Sequence, residues 1–266
     1  MAQATNPLVP AYVDSLQARG RYTFTRDEVL AAAEREAPTV DAALRRLRRR
    51  GRLASPRRGF YVVVPVEYRS AGCPPATWFI DALMGFLGQP YYVALLTAAG
   101  LHGAAHQQPM LFQVITDRPT RGARAGRVRI AFHMSRTVGV VPVVRLPTET
   151  GDIPVSTPEG TALDLVRFAS AAGYLSNVAT VLRDLADKID GRALASAAMR
   201  YGTPDLQRLG CLFDRIERSE LADALRGALH GRRLRSVLLS PGARRRSGAS
   251  DERWRVVANV EVELDS

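Results

Sequence analysis

The chain has 266 residues, 46% of them hydrophobic, which is room for two domains and a substantial core. Its formal net charge of +11 suits a polyanionic partner, although the near-total use of arginine (Lys188 is the one lysine) is also what a GC-rich genome produces. Cys73 and Cys211 form no CxxC pair, Met1–Pro10 shows no signal-peptide pattern, and the most apolar run, Trp78–Leu87, is short and contains Asp81. A zinc ribbon, a disulfide framework and a membrane span are thereby excluded, and a cytoplasmic protein is expected.

In chain order, Ala11–Ala18 reads as a short helix stopped by Gly20, with Tyr12, Val13 and Leu16 facing inward. Thr25-Arg26-Asp27-Glu28 has the form of a capping box, in which hydroxyl and carboxylate each bond the other residue's amide. The helix it opens buries Val29, Leu30 and Ala33 and ends before Pro38, which disfavours helix at Ala37. A third helix runs from Thr39 to Arg50. Val40, Leu44 and Leu47 recur at i, i+4 and i+7 and must be buried, while Ala42, Arg45, Arg46 and Arg49 take the opposite face. Gly51 ends the helix. Arg52–Ser55 and Phe60–Val64 then read as strands around Pro56-Arg57-Arg58-Gly59, with two arginines at the tip.

Between Thr39 and Arg58 there are eight arginines and one acid, Asp41. An arginine-rich helix face on its own is usually a solvated face. Three helices and a basic hairpin in about seventy residues, however, have the order and size of a winged helix-turn-helix, which puts a helix in the major groove and a wing against the backbone. The expected DNA contacts are Thr25, Thr39, Ala42, Arg45, Arg46, Arg49, Arg57 and Arg58.

Prolines and small residues at Arg69–Pro75 mark a break, so domains are expected at 1–70 and 77–266. Beyond it, Trp78–Leu87 and Tyr91–Ala99 look helical. Met110–Thr116, Val128–Met134, Val138–Leu146 and Ile153–Ser156 look like strands, Pro142 marking an edge or bulge. Thr157-Pro158-Glu159 starts a helix with a cap, a proline at the first position and an acid in the first turn. Helices follow over 161–172, 175–188, 191–201, 204–216 and 219–229, then a flexible basic loop, Pro241–Ser250. In Asp251–Leu264 the alternation of Trp254, Val256, Ala258, Val260 and Val262 reads as a strand returning to the sheet of the second domain. The fold class is α+β: an N-terminal winged helix-turn-helix, then a larger mixed domain of a small sheet and a helical bundle.

Little chemistry is legible there. His102 and His106 stand at i, i+4, but no acid accompanies them and Gly103 lies between. A nuclease would cluster carboxylates and a lysine; Asp117, Glu159 and Asp164 are the acids worth testing, and a helix N-terminus accounts for Glu159. There is neither a G-x-S-x-G nor a phosphate-cradling G-x-x-x-x-G-K-S/T loop. The loop Arg121–Arg127, RGARAGR, could bind phosphate, with a solvated hairpin loop the favoured reading. No catalytic residue, metal site or cofactor is expected.

Four segments together resemble the AbiEi-type antitoxins of the AbiE abortive-infection systems. They are Leu44–Leu47 with Gly51-Arg52-Leu53 and Arg58–Val62; Tyr92–His102 with Gln108-Pro109; Val155–Leu165; and Arg208–Leu212. The family pattern usually has arginine after the Pro-Glu pair, where this chain has Gly160. The resemblance implies an N-terminal module that represses its own operon by binding inverted repeats in double-stranded promoter DNA. It also implies a C-terminal domain that counteracts a cognate nucleotidyltransferase-like toxin in phage defence. Two other classes remain: a repressor whose second domain senses a small molecule, and a DNA-cutting enzyme, against which the missing carboxylate–lysine cluster argues.

Overall fold

The computed structural model describes residues 9–33, 35–104, 111–243 and 248–263. His106, Gln108, Pro109, Met110, the first eight residues and the centre of the Pro241–Ser250 loop lie outside them.

The N-terminal part packs α1 (Val9–Ala18), α2 (Arg26–Ala33) and α3 (Ala37–Arg49) against an antiparallel sheet in the order β1-β3-β2. These strands are β1 (Thr23–Thr25), β2 (Leu53–Arg57) and β3 (Phe60–Val63). The capping box forms as expected: the Glu28 amide donates to the Thr25 hydroxyl at 3.2 Å, and the Thr25 amide donates to the Glu28 carboxylate at 2.7 Å. α3 starts earlier than expected, at Ala37, with Pro38 in its first turn. A proline costs nothing there, because that amide would have no partner in the helix anyway. Val13, Phe24, Val29, Val40, Leu44, Leu47, Leu53 and Val63 fill the core.

The second part is built on a six-stranded sheet, ordered β6-β7-β5-β4-β9-β8. Its strands are β4 (Tyr91–Val93), β5 (Phe112–Thr116), β6 (Ala123–Ala125), β7 (Val128–Met134), β8 (Val143–Thr148) and β9 (Gly151–Ser156). Tyr91–Val93, expected as helix, is a strand between β5 and β9, and the helix begins only at α5 (Leu95–Leu101). Side chains alternate across the sheet. Val93, Val114, Ile130 and Val155 meet α4 (Ile80–Leu87) on one face, while Tyr92 and Ile115 meet the helical bundle on the other. The bundle comprises α6 (Pro158–Arg167), α7 (Tyr174–Ala186), α8 (Gly191–Ala198), α9 (Thr203–Arg215) and α10 (Ser219–Ala228). Thr157 caps α6 through the Gly160 amide at 3.3 Å. Gly160, where the family pattern has arginine, lies so close to its neighbours that a Cβ would come 3.2 Å from Val141 Cγ1.

The two parts share a core at the β2–β3 hairpin. Leu53 and Val63 point toward the three helices, whereas Ala54, Phe60, Val62 and Val64 are buried with Phe79, Ile80, Leu83 and the sheet. The Arg69–Pro75 segment is docked as well. The Arg127 amide donates to Ala71 O at 2.8 Å, and a Cβ on Gly126 (φ +55°) would fall 2.3 Å from that oxygen.

The C-terminal strand does not return to the six-stranded sheet. It forms a separate small sheet, β10-β12-β11, from β10 (Val237–Leu238), β11 (Ser250–Asp251) and β12 (Val256–Val257). Arg255 takes φ +52°, which turns the chain and interrupts the alternation read from the sequence. The anchor is Trp254. Its indole donates to Asp214 at 2.6 Å, its carbonyl accepts from Gln207 at 2.6 Å, and its ring occupies the space above Gly210. A Cβ on Gly210 would lie 2.2 Å from the ring. Gly210→Ala is therefore expected to destabilise the fold by about 1–3 kcal/mol through overpacking. Denaturant unfolding should show part of that loss restored when Trp254→Leu is added, since the smaller side chain leaves the methyl room.

A buried polar knot joins sheet to bundle. Asp164 of α6 is fully buried and accepts from the Tyr92 hydroxyl at 2.9 Å and the Tyr201 hydroxyl at 3.0 Å. Burial outweighs these two bonds and pushes its carboxyl from 3.8 up to about 7. Between those values the folded chain holds a proton that the unfolded chain has lost. The contribution is thus complete at acid pH and is lost as pH rises toward 7. Asp164→Asn, uncharged at every pH, should gain on the wild type across that window, by up to about 1.4 kcal/mol per pKa unit. Chemical unfolding of both proteins at pH 4.5, 6 and 8 reads the difference; a pH-independent one would mean that Asp164 is ionised throughout.

Candidate nucleic-acid interface

The amphipathic pattern of α3 leaves its arginines no choice of side. With Val40, Leu44 and Leu47 buried, Arg45, Arg46, Arg48 and Arg49 are exposed, as is Thr39, and Ala42 is half-buried. None of these arginines has a carboxylate partner among the described residues. The one acid of the region is already taken: Asp41 accepts from Arg26 at 2.7 and 2.9 Å, a forked bond that also fixes α2 against α3. That bond holds the Asp41 carboxyl below its ordinary value, helped by the nearby charges of Arg26, Arg45 and Arg58.

The two arginines at the hairpin tip part company. Arg58 is exposed on the α3 side, close enough to act on Asp41. Arg57 turns to the second part of the chain. It donates to Gly122 O at 3.0 Å and to Arg121 O, and its guanidinium lies 5.7 Å over the Phe132 ring. Burial lowers its pKa accordingly. Thr25, also expected at the interface, has its hydroxyl engaged in the capping box.

A groove of about 450 Å³ runs alongside α3, lined by Arg45, Arg48, Arg49, Ser55, Arg124 and Gly126 among others. Two of these arginines were not among the expected contacts. Arg48 stands three residues after Arg45, so the run RRLRRR carried that signal. Arg124 comes from β6, eighty residues away in sequence, and only the tertiary pairing brings it here.

The acids Asp117, Glu159 and Asp164 do not converge. Asp117 is beside Arg118, Glu159 accepts from the Asp190 amide at 3.0 Å, and Asp164 is the buried knot. Among the described residues no group of three or more His, Cys, Asp or Glu side chains is arranged to hold a metal. His102 Nε2 is bonded to Ser156 O at 2.7 Å; its proposed companion, His106, lies outside the described residues. No helix among them is long and apolar enough to cross a membrane.

Residues 92–215 match the family model of the AbiEi antitoxin C-terminal domain. Among solved structures, the crystal structure of the RV2827C protein from Mycobacterium tuberculosis is similar over 92% of this chain and 89% of that one, with a TM-score of 0.67 and 17% sequence identity. That likeness is one of fold. No curated protein matches the chain. The matched segment runs from β4 to the end of α9 and so takes in the six-stranded sheet and most of the bundle. Residues 92–215 thus form a domain of the AbiEi antitoxin C-terminal type.

Proposed function

We propose that this chain is an AbiEi-type antitoxin that also binds operator DNA, using residues 9–64 as a winged helix-turn-helix with α3 as the reading helix and the β2–β3 hairpin as the wing. An antitoxin domain implies a cognate toxin, and the family resemblance makes that toxin nucleotidyltransferase-like. By the same resemblance, the DNA would be inverted repeats at the chain's own promoter, giving autoregulation, and the system would act in defence against phage. The single observation that carries DNA binding is the α3 face. Four exposed arginines and Arg58 share one side, and the one carboxylate near them, Asp41, is already bonded to Arg26.

Thr39 and Ala42 lie in the N-terminal half of α3, from which a recognition helix usually reaches base edges, and Arg45 and Arg46 follow one to two turns further on. Arg49 and Arg58 lie further along toward flanking phosphates, and Arg57 braces the wing from behind. Small-molecule sensing has less support: the groove beside α3 is open and basic, and the other junction groove, near Tyr22 and Trp78, is partly polar.

With Arg48, Arg49 and Arg58 on phosphates, log K against log salt should fall with a slope of roughly −2.7, steepening toward about −4.5 where Arg45 and Arg46 also meet phosphates. Arg45→Ala and Arg46→Ala should each cost about 1–3 kcal/mol of discrimination between cognate and random duplex if they grip guanine. Arg58→Ala should weaken both duplexes alike. Fluorescence anisotropy on a promoter fragment and a scrambled one measures all three; a salt-independent affinity would sink DNA binding through this face. Neutralisation is read separately, by growth of cells co-expressing the neighbouring toxin gene. There the α3 variants should still protect, because they leave the antitoxin domain intact. Loss of protection in parallel with loss of operator binding would make neutralisation transcriptional.

A further inference from the structure

The hairpin formed by β6 and β7 carries an arrangement that stability does not explain. Arg124 and Arg129 are directly opposite each other across the two strands, both exposed, between the buried Ala123, Ala125 and Ile130. Like charges facing each other on adjacent strands are unfavourable. The only hydrogen bond that either side chain makes among the described residues is a long one, from Arg124 to Gly126 O at 3.4 Å. Arg121, just before β6, and Arg127, in the turn between the strands, are exposed as well.

The hairpin's place is fixed, and fixed beside α3. Arg57 holds it through the carbonyls of Arg121 and Gly122. The Arg127 amide bonds Ala71 O, and Gly126 lets the two backbones pass at a distance that no side chain would permit. Arg124 thereby becomes a wall of the groove whose other wall carries Arg45, Arg48 and Arg49.

We propose that the β6–β7 hairpin is a second DNA-contacting element, contributed by the antitoxin domain, that grips phosphates of the same duplex next to the site read by α3. The inference rests on the winged-helix reading and extends it. A duplex is the favoured occupant because Arg124 continues the α3 face across the shared groove, and Phe132, the aromatic ring beside Arg124 and Arg129, is already covered by the Arg57 guanidinium and so is not free to stack on unpaired bases. A phosphate row offsets the repulsion between Arg124 and Arg129 and makes their juxtaposition an asset.

The test uses the full chain and three probes: the promoter duplex, a random duplex of equal length, and single-stranded RNA. The R124A/R129A protein should bind both duplexes about tenfold or more weakly at 0.1 M salt, with the cognate-to-random ratio unchanged. Its salt slope should be shallower by about 1.8, two contacts' worth. R124Q/R129Q, which keeps polar side chains on the strands, should do the same, and thermal unfolding of both variants should be no lower than wild type. If wild type and R45A/R46A behave as the winged helix requires while R124A/R129A keeps the full slope, the second contact is overturned and the winged helix stands. Loss confined to the RNA probe would overturn it in favour of a different nucleic acid. A wild type that binds no duplex would overturn both readings.

Discussion

The β2–β3 hairpin is a two-sided wedge, and the relation between the two parts of the molecule depends on it. Strand alternation sends Leu53 and Val63 into the three-helix core and Ala54, Phe60, Val62 and Val64 into the core beneath the sheet. Burying Phe60, Val62 and Val64 is worth about 1.5–3 kcal/mol each. A hinge at this point would forfeit most of that. Arg57 adds a polar lock on the same side, its guanidinium bonded to two carbonyls of the neighbouring loop. The α3 arginines therefore hold a set orientation relative to the antitoxin domain.

That wedge also changes the meaning of the composition break at Arg69–Pro75. Small residues and prolines there suggest a linker, and the segment does connect two differently patterned halves. The glycine freedom is used for contact: Gly72 and Gly126 approach at 3.1 Å, measured to the position of a Cβ on Gly72, so the small residues let two backbones lie side by side. A fragment ending at residue 70 would expose Phe60, Val62 and Val64 to water. The two proposed activities are for this reason better separated by point substitutions on exposed arginines than by truncation.

What could be read from the sequence was governed by local chemistry. The α3 face, the Thr25–Glu28 capping box and the Thr157-Pro158 helix start all depend on residues within a few positions of each other, and all formed as expected. What escaped depended on distant partners. Tyr91–Val93 is a strand because β5 and β9 flank it, and three apolar residues show no period of their own. β1 is three residues long and exists through pairing with β3. The tail alternates like a strand, yet Trp254 is captured by Gly210 and Asp214 of α9 and the backbone turns at Arg255. At the proposed interface, Arg124 is out of reach of any local pattern, and Arg57, expected at DNA, is bonded to carbonyls that are distant in sequence.

Charge partners are unevenly distributed over the surface. On and around the bundle some arginines meet acids: Arg208 with Asp205, Arg218 with Asp187, and Arg253 with Asp214 and Asp223. On α3 and the β6–β7 hairpin they meet none among the described residues. Exposed ion pairs contribute about 0–1 kcal/mol, so stability selects weakly between the two arrangements. The difference lies in the field. Paired charges cancel within a few ångströms, whereas clustered unpaired ones add to a potential that attracts a polyanion and repels copies of the same face. Placing Arg45, Arg48, Arg49 and Arg124 along one groove, on elements locked together by the hairpin wedge, gives that potential a shape as well as a sign. A double helix, with phosphates in rows at fixed spacing, matches such a surface better than a mobile or compact anion does.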